Sequence, residues 1–96
     1  MENKEFLNIA LELEKKISET ILLVNDSLGK NPFDGLDKSL KIVQQRNYKQ
    51  FISIKKKTKD IFMVLFGSQI KNENLIMNNL NEIDGLINKM NNVPDL

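Results

Sequence analysis

Apolar residues recur at three- and four-residue intervals along three stretches of the chain, and this spacing predicts amphipathic helices. The first stretch, about residues 3–28, carries one apolar stripe through Ala10, Ile17 and Val24, and Gly29 follows as a typical helix-ending residue. The last stretch, about residues 69–91, has the strict four-three alternation of a coiled-coil-like seam. Its apolar positions are Ile76, Leu80, Ile83, Ile87 and Met90.

The middle stretch, about residues 35–66, has two interpretations. Its apolar positions keep one helical phase through Val43, Phe51 and Ile61, which favours a single long helix. Asn47 is a polar residue on this stripe, and it allows a break near residues 46–47 with a second helix beyond it. The unbroken phase makes the single helix the preferred interpretation, and the broken helix stays open as the alternative.

These stretches predict an all-α fold, an antiparallel bundle of three amphipathic helices, or of four if the middle helix is broken. A chain of 96 residues is near the common size of one domain, so residues 1–96 are expected to form a single helical-bundle domain. Residues 92–96 contain a proline and are expected to be a frayed tail.

Charge is segregated along the sequence. Residues 1–29 carry a net charge of −3, residues 30–71 a net charge of +7 and residues 72–96 a net charge of −3. This acidic, basic, acidic order predicts that the basic middle helix lies between the two acidic ones. Exposed ion pairs add little stability, so the pattern is expected to favour one helix pairing over its alternatives.

The composition excludes most enzyme chemistry. The chain has no His and no Cys, and it lacks a Gly-rich phosphate-binding loop. The usual general base, the thiolate nucleophile and the commonest metal ligands are therefore missing. We expect a protein that is not an enzyme and that uses no cofactor, no metal and no small-molecule substrate. No signal peptide is apparent and no apolar run approaches the ~20 residues of a membrane span, so a cytoplasmic location is expected.

Basic residues cluster in the middle stretch, where Lys55, Lys56 and Lys57 are consecutive and Lys59 follows. Clustered cations on one face are what phosphate binding requires. No recognised nucleic-acid motif surrounds them, and the charge of the whole chain is only +1. Nucleic acid is therefore an unlikely partner, and a solvated helix face is the preferred interpretation.

Apolar residues exceed what one core stripe per helix can use. Leu7, Leu11 and Leu22 cluster on a helical wheel away from the main stripe of the first helix, and Phe62, Met63, Phe66, Met77 and Leu86 are in excess later in the chain. Exposed apolar surface usually marks an interaction site, for which a helix in a groove is a natural partner. A wider core is an equally good explanation, and pairing of two copies through the last helix would bury the same residues.

The chain resembles the small flagellar export chaperones of the FliT and FlgN type, which are cytoplasmic helical proteins that hold flagellar subunits before secretion. Three stretches carry the resemblance: FLNIALELEKKISETILLV, RNYKQFISIKKKTKDIF and IKNENLIMNNLNEIDGLINKM. It implies that the last helix takes part in binding the client protein through its apolar stripe. With the surplus leucines, the predicted partner-binding set is Leu7, Leu11, Leu22, Ile76, Leu80, Ile83, Ile87 and Met90.

A second functional hypothesis also fits a small helical bundle of mixed charge. Immunity and inhibitor proteins of bacteriocin, phage or other mobile-element loci have this character. The neighbouring genes would distinguish the two hypotheses, because flagellar genes favour the chaperone and a toxin or phage gene favours the immunity protein.

Overall fold

Four helices form the protein in a computed structural model that describes residues 4–91. They are α1 (Lys4–Leu28), α2 (Asp34–Gln44), α3 (Phe51–Leu65) and α4 (Glu73–Asn91), with a short 3₁₀ turn (Tyr48–Gln50) before α3. No strand occurs within residues 4–91. The all-α prediction is confirmed, whereas the predicted frayed tail at 92–96 and the start of the first helix at residue 3 lie outside the described residues.

The predicted middle helix is broken, so the four-helix alternative is the observed one and the preferred single helix from 35 to 66 is wrong. Arg46 has a left-handed backbone with φ of 53°. Its N–H donates to the Val43 carbonyl at 3.0 Å and the Asn47 N–H donates to the Ile42 carbonyl at 3.1 Å. These two hydrogen bonds are those of a Schellman motif, which ends α2.

Successive helices run in opposite directions. Gly35, at the start of α2, faces Lys57 and Ile61 in the middle and second half of α3. Asp26, near the end of α1, accepts a hydrogen bond at 3.0 Å from Asn72, which immediately precedes α4.

Each helix lies beside two neighbours, α1 beside α2 and α4, and α3 beside α2 and α4. The diagonal helices α1 and α3 meet through side chains in the core, where the Phe6 and Phe51 rings stack 6.0 Å apart. The result is an up-and-down four-helix bundle whose Cα atoms span 44 × 20 × 17 Å.

The core has two apolar clusters, one toward each end of the bundle. One end of the bundle is where α1 and α3 finish and where α2 and α4 begin. We call it the distal end, and we call the opposite end the proximal end. Ile21 packs against both clusters. The proximal cluster contains Phe6, Ile9, Ala10, Leu13, Ile17, Val43, Phe51, Ile54, Ile83, Leu86, Ile87 and Met90. The distal cluster contains Val24, Leu36, Ile61, Leu65, Ile76 and Leu80.

The charged helices are arranged differently from the prediction. The acidic helices α1 and α4 contact each other directly, and the basic α2–α3 pair packs against their other side. The basic helix α3 therefore does not lie between α1 and α4. The expectation assumed three helices, and it fails because the basic stretch forms two helices that close the bundle together.

Candidate interaction surface

The five α4 residues predicted to bind a partner are core residues. Ile76, Ile83 and Ile87 are fully buried, and Leu80 and Met90 are each only 2% exposed. They pack against the other three helices within the two core clusters. A client protein would reach them only after α4 had left the bundle.

The three α1 residues predicted to bind a partner lie on or near its outer surface. Leu11 is 50% exposed and Leu22 is 68% exposed, whereas Leu7 is half-buried. Leu11 and Leu22 are three helical turns apart, about 16 Å along the axis. The structure therefore does not join these leucines in one patch, and it places Leu22 at the distal end with Leu11 in the proximal half.

Exposed apolar side chains are concentrated at the distal end of the bundle. Within residues 4–91, six of the eight large apolar side chains that are exposed lie there, the other two being Leu11 and Ile52. Phe66 is 74% exposed, Met63 68% and Val64 67%. We call the six the distal apolar set: Leu22, Leu28, Met63, Val64, Phe66 and Leu75.

The end of α3 presents the largest members of this set. Phe66 is the residue that ends α3, and its N–H donates to the Phe62 carbonyl at 2.9 Å. Gly67 follows with φ of 72°, a left-handed backbone that favours glycine, and the chain turns away toward α4. The Phe62 and Phe66 rings lie 6.2 Å apart at 30°. This turn carries Phe66 out of the core, whereas Phe62 stays half-buried beside it.

A groove between α3 and α4 leads to this aromatic pair. Its volume is about 260 Å³, and Phe62 lies at one end of it. Thr58 and Leu80, both buried, contribute to the lining, with Lys59 and Asp84 among the residues at the edges. A larger open groove of about 770 Å³ lies between α1 and α4 at the proximal end, but four charged residues line it. The smaller groove leads toward the exposed Phe66 at the distal end, whereas Leu11 is the exposed apolar residue that lines the larger one.

One ion pair joins the two acidic helices. Lys16 Nζ lies 2.6 Å from Glu82 Oε2. This hydrogen bond is the main cause that raises the pKa of the Lys16 amino group above its ordinary value, and nearby glutamate charges act in the same direction while partial burial opposes them. The pair lies on the α1–α4 side of the bundle, away from α3.

Several lysines of the α2–α3 pair have no such partner. Lys41, Lys49, Lys56, Lys57 and Lys59 form no ion pair with any acid among residues 4–91. By contrast, Lys38 pairs with Asp34 at 3.1 Å, and Lys55 donates to Asn88 Oδ1 at 2.7 Å. The basic surface therefore borders the exposed apolar end of α3 and is not neutralised within the molecule.

Reactive groups are not gathered anywhere in the part of the chain that the structure describes. Residues 4–91 contain no group of three or more acidic residues placed to hold a metal ion. None of the described helices combines the length and the apolar character needed to cross a membrane. The arrangement offers contact surface, apolar at the distal end and basic along α3.

The fold defines an all-α, up-and-down four-helix bundle, a class that serves many functions. No protein-family model matches the chain, and no curated protein or solved structure matches it at a significant level.

The sequence prediction missed part of this surface. The surplus apolar residues that the sequence indicates include Met63 and Phe66 but not the exposed Val64, Leu75, Leu28 and Ile52. The signal was present in their helical phase, because Val64 and Leu75 lie off the stripes of α3 and α4. A wheel of one helix shows which residues share a face, but exposure depends on how many neighbours the helix has.

Proposed function

We propose that this protein is a non-enzymatic, protein-binding helical bundle that holds an amphipathic segment of another protein in the cytosol. The resemblance to flagellar export chaperones supports a client that is awaiting secretion. The proposal places the contact on the distal apolar set and leaves the α4 stripe in the core. The family resemblance implied direct binding by that stripe, and burial argues against this while the bundle is closed.

The concentration of exposed apolar side chains at one end is the observation that carries the proposal. Single exposed apolar residues are normal on any protein surface and need no explanation. Six at one end, among them a phenylalanine that is 74% exposed, are a different situation. Large aromatic and methionine side chains are also enriched where proteins bind each other.

The adjacent groove suggests how a client would be held. The α3–α4 groove has apolar lining from Phe62 and Leu80 and leads toward Phe66. An amphipathic helix binds such a groove by inserting side chains spaced three and four residues apart. Binding there would cover members of the distal apolar set on α3 and α4, among them Phe66, which otherwise contact water.

Site-specific cross-linking in the producing cell tests the proposal. A photoreactive phenylalanine analogue replaces Phe66 in one variant, and it replaces Leu11 in a matched control, since Leu11 is also exposed but lies away from the distal end. We expect one defined protein to be captured at position 66 and not at position 11. The proposal then requires Met63→Ser with Phe66→Ser to weaken binding of the purified partner at least about tenfold.

The identity of the captured protein also separates the two functional hypotheses. A secreted flagellar subunit supports the export chaperone, and a toxin supports the immunity protein. Equal capture at both positions, or a partner whose binding is unaffected by the double substitution, would show that the distal apolar set is ordinary surface.

A further inference from the structure

The outward face of α3 combines apolar and basic residues in a regular order. Ile52, Lys56, Lys59, Met63 and Phe66 follow one another at intervals of four, three, four and three residues, and all five are exposed. This spacing aligns them along one side of the helix. Ile52 and Met63 are about 16 Å apart along the axis, with the two lysines between them.

The lysines in this row have no neutralising partner. Neither Lys56 nor Lys59 lies within ion-pair distance of any acid among residues 4–91, including Asp60 on the neighbouring part of α3. The α2–α3 pair as a whole, residues 34–65, carries a net charge of +5. The face thus attracts negative charge at its centre and apolar groups at its ends.

We infer that the segment bound by this protein is an acidic amphipathic helix that lies along α3. This inference rests on the proposed function and adds the chemistry of the partner. The partner helix places carboxylates opposite Lys56 and Lys59, and its apolar side chains contact Ile52 at one end and Met63 with Phe66 at the other. Complementary charge selects the partner and the orientation, and apolar contact supplies most of the affinity.

Other occupants fit this face less well. A phosphate backbone would satisfy the lysines but leave Ile52, Met63 and Phe66 in contact with water or phosphate. A bilayer surface prefers a helix with a continuous apolar face, whereas here two lysines occupy the centre. The outward face of α1 in a second copy has Leu11 and Leu22 at the matching spacing, with Glu12 and Glu19 to one side. Lys15, however, lies in the row between the leucines and would face Lys56 and Lys59.

A pair of labelled peptides tests the charge preference on the intact protein. Both peptides have about 18 residues, enough to cover the face from Ile52 to Phe66, and both have leucines at one amphipathic spacing. One carries glutamate at its remaining positions and the other carries lysine. By fluorescence anisotropy we expect the acidic peptide to bind at least about tenfold more tightly than the basic one at low salt.

Two charge-reversal variants locate the preference. Lys56→Glu with Lys59→Glu should remove or invert the preference for the acidic peptide. Lys38→Glu with Lys41→Glu is the matched control, because it makes the same change of charge on exposed positions of α2. This control should retain most of the preference for the acidic peptide. Circular dichroism verifies that all variants are helical.

The outcomes distinguish the inference from the proposed function. One outcome is that the two peptides bind equally and that Met63→Ser with Phe66→Ser weakens both. That outcome would support binding by the apolar surface and would contradict a preference for an acidic partner. Absence of peptide binding, with a partner still captured at position 66, would overturn the inference alone. Stronger binding to phosphatidylserine vesicles or to a DNA duplex, lost in the α3 charge reversal, would overturn it in favour of those ligands. A concentration-dependent dimer in light scattering that excludes the peptide would favour a second copy.

Discussion

Two glycines with opposite roles show what single residues contribute to this bundle. Gly67 has φ of 72° and turns the chain after α3, whereas Gly85 lies inside α4 with an ordinary helical backbone. A methyl group added at Gly85 would meet no atom within 4 Å. Neither packing nor backbone geometry therefore requires glycine at position 85.

Gly85→Ala should raise the free energy of unfolding by about 1 kcal/mol, because alanine restricts the unfolded chain and favours the helix. Gly67→Ala is the matched comparison and should lower it by about 1–2 kcal/mol, since alanine is strained at positive φ. Urea unfolding followed by circular dichroism measures both. A neutral or destabilising Gly85→Ala would indicate that glycine at this position is needed by something other than the fold.

The ion pair between Lys16 and Glu82 makes a pH-dependent contribution that has a definite sign. The pKa of Lys16 is raised in the folded protein, so the pair stabilises fully below the unfolded lysine pKa, about 10.4. This stabilisation is lost as the pH rises through the raised folded value. As the pH rises above the unfolded lysine pKa of about 10.4, we expect the urea midpoint of the natural protein to fall more steeply than that of Glu82→Gln. Parallel pH profiles of the two proteins would show that the pair contributes nothing.

At the scale of helices, the sequence predicts where apolar faces lie better than where helices end. The predicted first helix ends at residue 28, as α1 does, because Gly29 gives a clear local signal. The break after α2 has only Asn47 as a weak signal, and the residue that takes the left-handed backbone is Arg46. The apolar phase continues across the break because both helices bury the same stripe. Periodicity alone therefore could not distinguish one helix from two.

The same reasoning explains the partial prediction of the interaction surface. Leu22, Met63 and Phe66 stood out by their position off the stripes, and all three are exposed. Leu86 stood out in the same way, yet it is buried at 8% exposure. In a four-helix bundle each helix packs against two neighbours, which widens the buried face. Whether a flanking residue is covered depends on the arrangement of helices, which a wheel does not contain.

The close contact between α2 and α3 depends on the absence of a side chain at Gly35 of α2. A Cβ atom at Gly35 would lie 3.4 Å from Lys57 Cβ and 3.8 Å from Ile61 Cδ1. Gly35→Leu should therefore push the two helices apart and lower the free energy of unfolding by about 1–3 kcal/mol. Gly85→Leu on the open side of α4 is the size-matched control and should cost little. Equal effects of the two substitutions in urea unfolding would contradict a tight α2–α3 contact.

At the scale of the whole molecule, charge divides the bundle into two layers. The basic α2–α3 pair carries +5, whereas α1 and α4 carry −2 each over residues 4–28 and 73–91. Arg46, between α2 and α3, links the layers through Glu14 of α1 at 3.6 Å. The division suits the acidic partner that we propose for α3. The basic outward face of α3 is thereby kept apart from the acidic helices α1 and α4.

A final test compares the core with the proposed contact surface. One variant introduces a carboxylate into the core, and a second introduces a carboxylate into the contact surface. Ile83 is fully buried, so Ile83→Asp buries an unpaired charge and should cost more than about 4 kcal/mol, enough to unfold much of the protein. Phe66 is 74% exposed, so Phe66→Asp should change the free energy of unfolding by less than about 0.5 kcal/mol while weakening partner binding. Circular dichroism with urea unfolding measures stability, and the cross-linked partner reports binding. If the Ile83→Asp protein stays folded but no longer binds its partner, the binding site would be the α4 stripe. The partner would then have to bind an opened bundle, because the closed bundle buries that stripe.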